Sequence, residues 1–313
     1  MLHLRAICPA GRADGVLAAL REHAGVTHVV VLRGAAVEPA GDVVEADVAR
    51  EAADAVVASL CELGVDRDGG ITLAQVDTAL SDAADRAEEA APGDGADAVV
   101  WEELLARTGE ESRLNATFLA FLTIACLLAA VGVVTNSPIT IVGAMVVGPE
   151  FGPLAAFAVG LVLRRWDLVG RAALALAVGF PVAMAITAGA AFAGSFTGLF
   201  NRDMVLSAHE VDFVFQVGPF SLIVALLAGA AGMLSMTSAK SAALVGVFIS
   251  VTTVPAAGFA AVAAVLGEWD ICLQSVAQLA VNLTGVVMAA ALVLALRNRR
   301  GAVRDLGRPL AGG

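Results

Sequence analysis

From residue 114 onward the chain divides into six apolar runs, at about 115–134, 138–163, 168–194, 219–238, 241–266 and 272–296. Each is long enough to cross a hydrocarbon core of ~30 Å as a helix rising ~1.5 Å per residue. No water reaches the backbone in that solvent, so a spanning segment must satisfy its own N–H and C=O groups, which a helix does. Composition agrees, because 58% of the residues are hydrophobic and 16% charged, against the ~45–50% apolar content usual for soluble domains. The sequence therefore predicts an integral membrane protein whose first partner is the lipid bilayer.

The second run is interrupted. Residues Gly143 to Pro153 read G-A-M-V-V-G-P-E-F-G-P and place Gly148, Pro149, Gly152 and Pro153 around Glu150. From Pro138 to Leu163 Glu150 is the only acidic or basic side chain, and it falls ~18 Å below Pro138, near mid-membrane. Proline removes a backbone donor and disturbs the preceding turn, so carbonyls there need protein, water or an ion as partner. Intramembrane charges are rare and usually functional. The alternative reading is a kinked helix whose protonated Glu150 bonds to a neighbour.

The two halves of this region superpose when Val142 is laid on Val245, an offset of 103 residues, so that the second-run break faces V-G-V-F-I-S-V-T-T-V-P-A. There Ser250, Thr252, Thr253 and Pro255 interrupt the fifth run at the same depth. Three spans per half implies opposite orientation, and paired Gly/Pro interruptions at matching positions are the sequence sign of a transporter site. Asn136 at an outer turn, and Gln278 and Asn282 with Gln274 on one face of the sixth run, are further candidates. Each of these could equally hydrogen-bond between helices.

Charge sets the expected orientation. The connections assigned to one side hold Arg113, Arg164, Arg165, Arg171, Lys240, Arg297, Arg299 and Arg300, and those assigned to the other hold Arg202 as their one basic residue. The positive-inside rule makes the first side cytoplasmic, with both termini. Trp166 and Trp269 fall at the expected interfaces, where an indole is half wet.

Residues 1–113 carry 9 Arg against 22 acidic residues, whereas residues 114–313 carry 10 basic against 8 acidic. An acidic soluble part argues against nucleic-acid binding, which neutralises phosphates with Lys and Arg. Residues 1–80 read as strands at Leu2–Cys8, Val26–Leu32, Val43–Val48 and Ile71–Val76, with helices at Arg12–Ala24 and Ala49–Leu63. A turn-rich connection is expected from Gly34 to Gly41. This βαββαβ order is that of a ferredoxin-like α+β domain, often a binding or assembly module. Residues 81–113 form an acidic linker, with a helix stopped by Pro92, Gly93 and Gly95. A second, amphipathic helix follows, whose Val100, Trp101, Leu104 and Leu105 suit lying at the membrane surface or, as its acidic polar face favours, packing on a neighbour. Residues 114–300 form the six-span domain, and residues 301–313 a cytoplasmic tail.

Cys8, Cys61, Cys126 and Cys272 form no C-x-x-C or Cys/His cluster, so no metal site and no cofactor is expected. His3, His23 and His28 lack partner motifs and read as surface or edge residues. The absence of an H-E-x-x-H motif, a Ser/His pair or paired intramembrane aspartates argues against an enzyme. The N-terminus, M-L-H-L-R-A-I-C-P-A-G, lacks the long apolar core of a signal peptide.

Taken together, G-A-M-V-V-G-P-E-F-G-P, the preceding N-S-P-I-T-I-V, the later A-L-V-G-V-F-I-S-V-T-T-V-P and the βαββαβ front resemble the hydrophobic-domain family called domain of unknown function 389. The resemblance implies a bacterial inner-membrane protein with a cytoplasmic front domain and no established substrate. That family's broader pattern often has an apolar residue at the position of Glu150 and a doubled second-half proline, whereas here Pro255 is followed by Ala256.

The leading expectation is a transporter or channel-like carrier of a small solute or ion. Glu150, Thr252 and Thr253 would supply ligands, and the breaks at Gly148, Pro149, Gly152, Pro153, Ser250 and Pro255 would supply backbone. The second is an oligomeric sensor or scaffold whose front domain binds a metabolite or partner. Small residues along the apolar runs favour close helix contacts and a homo-oligomer.

Overall fold

The computed structural model describes residues 1–76, 78–91, 99–202, 218–238 and 253–306. Two compact units emerge, one built chiefly on Met1–Leu104 and the other on Leu105–Met236 with Ser241–Gly313.

The first unit begins with β1 (Leu2–Cys8), α1 (Ala13–Glu22), β2 (Val26–Val37), β3 (Ala40–Val48), α2 (Ala53–Glu62), the single-turn α3 (Val65–Asp68) and β4 (Gly70–Gln75). The strands form one sheet in the order β2-β3-β1-β4, and each neighbouring pair is antiparallel. Alternation in β1 turns Leu2, Leu4, Ala6 and Cys8 inward. There they share a core with Val16 and Leu20 of α1, Val44, Ala46 and Val48 of β3, and Val56 and Leu60 of α2. The β2 strand runs beyond the expected Leu32 to Val37, where Ala36 and Val37 pair with Gly41 and Ala40. The turn-rich composition of Gly34–Gly41 thus belongs mostly to a hairpin, because glycine and alanine there still offer backbone groups to the ladder.

The linker helix α4 (Asp82–Ala90) starts on Ser81, whose Oγ accepts from the backbone N–H groups of Ala83 and Ala84. The breakers Pro92, Gly93 and Gly95 lie outside the described residues. The helix α5 spans Trp101–Glu111. Val100, just before it, joins the front core, and Leu104 is buried.

The start of α5 is fixed by the N–H of Trp101, which donates to Asp54 Oδ1 at 3.0 Å. Burial pushes the Asp54 carboxyl up to about 7 from 3.8, opposed by the Trp101 N–H and reinforced by the neighbouring Glu102 carboxylate. A carboxyl raised in this way binds a proton in the folded state that the unfolded chain has already lost, so stability falls as pH rises from about 4 through about 7. Hydrogen exchange at the Trp101 amide, corrected for its intrinsic pH dependence, is expected to be faster at pH 8 than at pH 5. Asp54→Asn, which keeps the acceptor, is expected to remove that difference. Equal protection of the wild type at both pH values would refute the assignment.

The second unit contains α6 (Ala116–Val134), α7 (Pro138–Val147), α8 (Phe151–Val162), α9 (Trp166–Ser195), α10 (Pro219–Thr237), α11 (Thr253–Val265) and α12 (Trp269–Leu306). Among the described residues four helices, namely α6, α9, α10 and residues 269–298 of α12, are long and apolar enough to cross a membrane, and α7 with α8 makes a fifth if the bent pair is one span. Of the expected run 241–266 only α11 is described. The N-cap residues Asn115 and Ser137 start α6 and α7 by accepting from Phe118 N–H and Thr140 N–H.

The core of this unit forms around α11. It packs on α6, α9 and α12, and every residue from Thr253 to Ala263 is buried. A helix buried on all sides can be apolar all round, as its T-V-P-A-A-G-F-A-A-V-A sequence is.

Candidate functional site

The break between α7 and α8 follows from two prolines. The ring of Pro149 disfavours helical backbone at the residue before it, and Gly148 is extended, at φ −64° and ψ 126°. The chain re-enters a helix at Phe151, which places Pro153 in the first turn of α8, where its missing N–H would have had no helical partner anyway. The resulting bend is 54°.

Glu150 is the N-cap residue of α8, yet its side chain makes no capping hydrogen bond to its own helix. The carboxylate instead accepts from Thr253, whose Oγ1 stands 2.6 Å from Glu150 Oε1. Both residues are 0% exposed. That distance lies in the range of hydroxyl-to-carboxylate bonds, the stronger class of protein hydrogen bond. The two partners are 103 residues apart, the offset at which the second and fifth runs superpose in the sequence. Pro255, two residues further into α11, is also buried.

Gln278 and Asn282 lie on α12 at the level of this pair. Residues 266–268 join α11 to α12, and counting equal lengths back from that turn sets Thr253 opposite the stretch from Gln278 to Asn282. Packing agrees: Leu279 and Leu283 share a cluster with Val254 and Ala257, and Leu283 also meets Phe151 and Leu154 of α8. Gln278 Nε2 donates to Asn282 Oδ1 at 3.3 Å, and both residues are buried. Gln278 Oε1, Ser275 Oγ and, on α9, Thr187 Oγ1 are buried with no hydrogen-bond partner among the described residues. Such a group costs about 1–3 kcal/mol when left unsatisfied.

Other expected members fall elsewhere. Asn136 stands in the turn between α6 and α7, in the left-handed region at φ 48°, and all of α7 separates it from Glu150. Gln274 is exposed, and the residue buried about one turn before Gln278 is Ser275. Ser250, Thr252 and Lys240 lie outside the described residues.

Glu111 was not legible as a neighbour of the break. A methyl group at Gly152 would stand 2.7 Å from Glu111 Cβ and 3.1 Å from both its carbonyl oxygen and Oε2, so glycine is what lets the end of α5 approach α8. Glu111 Oε1 also accepts from Arg107 Nε at 3.2 Å. Nothing in the spacing from Glu111 to Gly152 announces this contact.

In the front unit the half-exposed His3 and His28 bracket Asp47, with Nδ1 atoms 2.9 and 2.7 Å from its two carboxylate oxygens. A register shift between Thr27 and Val30 marks a bulge, and His28 sits in it at φ 49°. Bulges re-aim side chains in this way. Burial raises the Asp47 pKa, but the two histidine hydrogen bonds outweigh it and hold the carboxyl below its ordinary value. Three strands contribute these residues, so no local motif could have shown them. Among the described residues no group of three or more His, Cys, Asp and Glu side chains could hold a metal ion.

Residues 145–288 match the model of the family described as Domain of unknown function (DUF389). The stretch takes in Glu150, Thr253, Gln278 and Asn282, and over it the resemblance read from the motifs is shown. No curated protein and no solved structure matches the chain.

Proposed function

We propose that the protein is a membrane transporter or channel-like carrier of a small solute or ion, with its site where the broken second run meets the fifth. The observation that carries this reading is the buried hydrogen bond from Thr253 to Glu150. It joins the two sequence positions that a 3+3 inverted repeat would make equivalent, and it does so at a helix break, where transporter folds place their substrate. The arrangement entails six spans, with the run 241–266 completing the fifth. The front unit, with its βαββαβ order and β2-β3-β1-β4 sheet, is read as a ferredoxin-like module that regulates or assembles a homo-oligomer in the bacterial inner membrane. Neither an enzymatic activity nor a cofactor is part of the proposal. The test is flux: purified protein in sealed vesicles should carry Na⁺, K⁺, H⁺ or a small polar solute faster than empty vesicles. Absence of any such flux leaves the sensor or scaffold reading in its place.

Orientation has its own test. With the four native cysteines replaced, Thr197→Cys is expected to react in intact cells with an impermeant thiol reagent, and Glu62→Cys to react only after lysis. The reverse pattern would overturn the cytoplasmic placement of the front unit.

A further inference from the structure

We infer that Ser275, Gln278 and Asn282 form a polar track on α12 along which a small monovalent cation moves between the α12 N-terminal side of the membrane and Glu150. The inference rests on the transporter reading and names the chemistry its site accepts.

Residues at i, i+3 and i+7 lie on one helical face. These three are 0%, 1% and 0% exposed, in a helix whose other polar residues behave differently. Thr284, on an exposed face, closes its hydroxyl onto the Ala280 carbonyl at 2.8 Å, the usual local solution for Ser and Thr in a helix. Ser275 Oγ makes no such bond, and Gln278 Oε1 has no partner among the described residues. Two buried oxygens left open on one stripe are expected to be satisfied by something that comes and goes, either water or a ligand.

The open atoms also select the ligand. The Gln278 amide turns its N–H toward Asn282, which leaves its carbonyl as the open end, and a carbonyl oxygen accepts but does not donate. An anion entering the track would find donors in the Ser275 hydroxyl and the amide N–H groups, but it would end against the Glu150 carboxylate, which repels it. A cation would meet hydroxyl, carbonyl and finally carboxylate oxygens, the ligand set that suits small hard cations. From Thr253 to Leu296 the sequence contains no Lys, Arg or His to repel it.

The experiment compares Na⁺, K⁺ and H⁺ flux in vesicles holding wild type, Gln278→Leu, Ser275→Val, Glu150→Gln and, as the control, Gln274→Leu. Gln278→Leu and Ser275→Val are each expected to lower the flux of one of these cations about tenfold, the effect of losing one hydrogen-bonding ligand, while Gln274→Leu leaves it unchanged. If Glu150→Gln suppresses flux and the two track variants do not, the track is only a helix contact and this inference falls while the site reading stands. If none of the three variants has an effect, both fall. Flux confined to anions or neutral solutes would also overturn it. A second readout uses a near-isosteric substitution in the track. In a background without native thiols, Ser275→Cys is expected to react from the α12 N-terminal side faster with a cationic than with an anionic methanethiosulfonate. No reaction, or equal rates, would overturn the inference.

Discussion

Glu150→Gln is expected to suppress or re-tune transport while leaving the fold intact, and Thr253→Val is expected to impair the same flux from the other half of the chain. Glutamine keeps the size of glutamate and can still accept from Thr253, so the change removes the charge and little else. Valine keeps the shape of threonine and removes the hydroxyl, leaving Glu150 Oε1 without the donor now 2.6 Å away. A hydrogen bond to a charged group contributes about 1.5–3 kcal/mol, so either variant alone should change flux by about tenfold to a hundredfold. The two changes are expected to couple by about 0.5–3 kcal/mol in a double-mutant cycle, because the Thr253 hydroxyl donates to the charge that Glu150→Gln removes. Effects that add independently would show that Glu150 and Thr253 act apart. A flux unchanged in rate, selectivity and pH dependence in both variants would mean that the pair only clamps two helices together.

What the sequence could disclose depended on the range of each signal. The long apolar runs are local and strong, and the helices α6, α9 and α10 begin and end within about two residues of the expected bounds. Break chemistry is also local: Gly148 before Pro149 must leave the helix, wherever the segment packs. The 103-residue offset was a weak signal, carried by few identities, yet it paired Glu150 with Thr253 because both positions follow from where each run is interrupted. Register along α12 was less legible. Gln274, Gln278 and Asn282 do share a face by spacing, but α12 is rotated so that Ser275 replaces Gln274 inside. Only packing against α11 and α8 sets that rotation. Contacts between distant segments left no trace at all, as with Glu111 at Gly152 or His3 and His28 on Asp47, because single substitutions at a contact carry no period.

The strongest check on how the site is held together is the sign of a stability change at Gly258. In an open helical position, Gly→Ala stabilises by up to about 1 kcal/mol, because alanine has less backbone freedom to lose. Gly143 on α7 is such a position, with nothing within 4 Å of an added methyl group, so Gly143→Ala is expected to raise the thermal midpoint in detergent slightly. At Gly258 on α11 the same methyl would stand 2.8 Å from Ala129 Cβ and 2.8 Å from the Cys126 carbonyl oxygen. Both belong to buried residues of α6, and a backbone carbonyl inside a helix cannot yield without moving the helix. Overpacking of this kind costs about 1–3 kcal/mol, enough to reverse the sign, so Gly258→Ala is expected to lower the midpoint and Gly258→Leu to lower it further. Function should follow, since Thr253 lies little more than one turn before Gly258. Pushing α11 away from α6 carries the Thr253 hydroxyl out of reach of Glu150, so Thr253→Val should have almost no additional effect on flux in the Gly258→Leu background. A Gly258→Ala protein as stable as wild type, or more so, would show that α11 does not approach α6 this closely. The contact that aligns the two halves of the site would then have to be sought on α9 or α12.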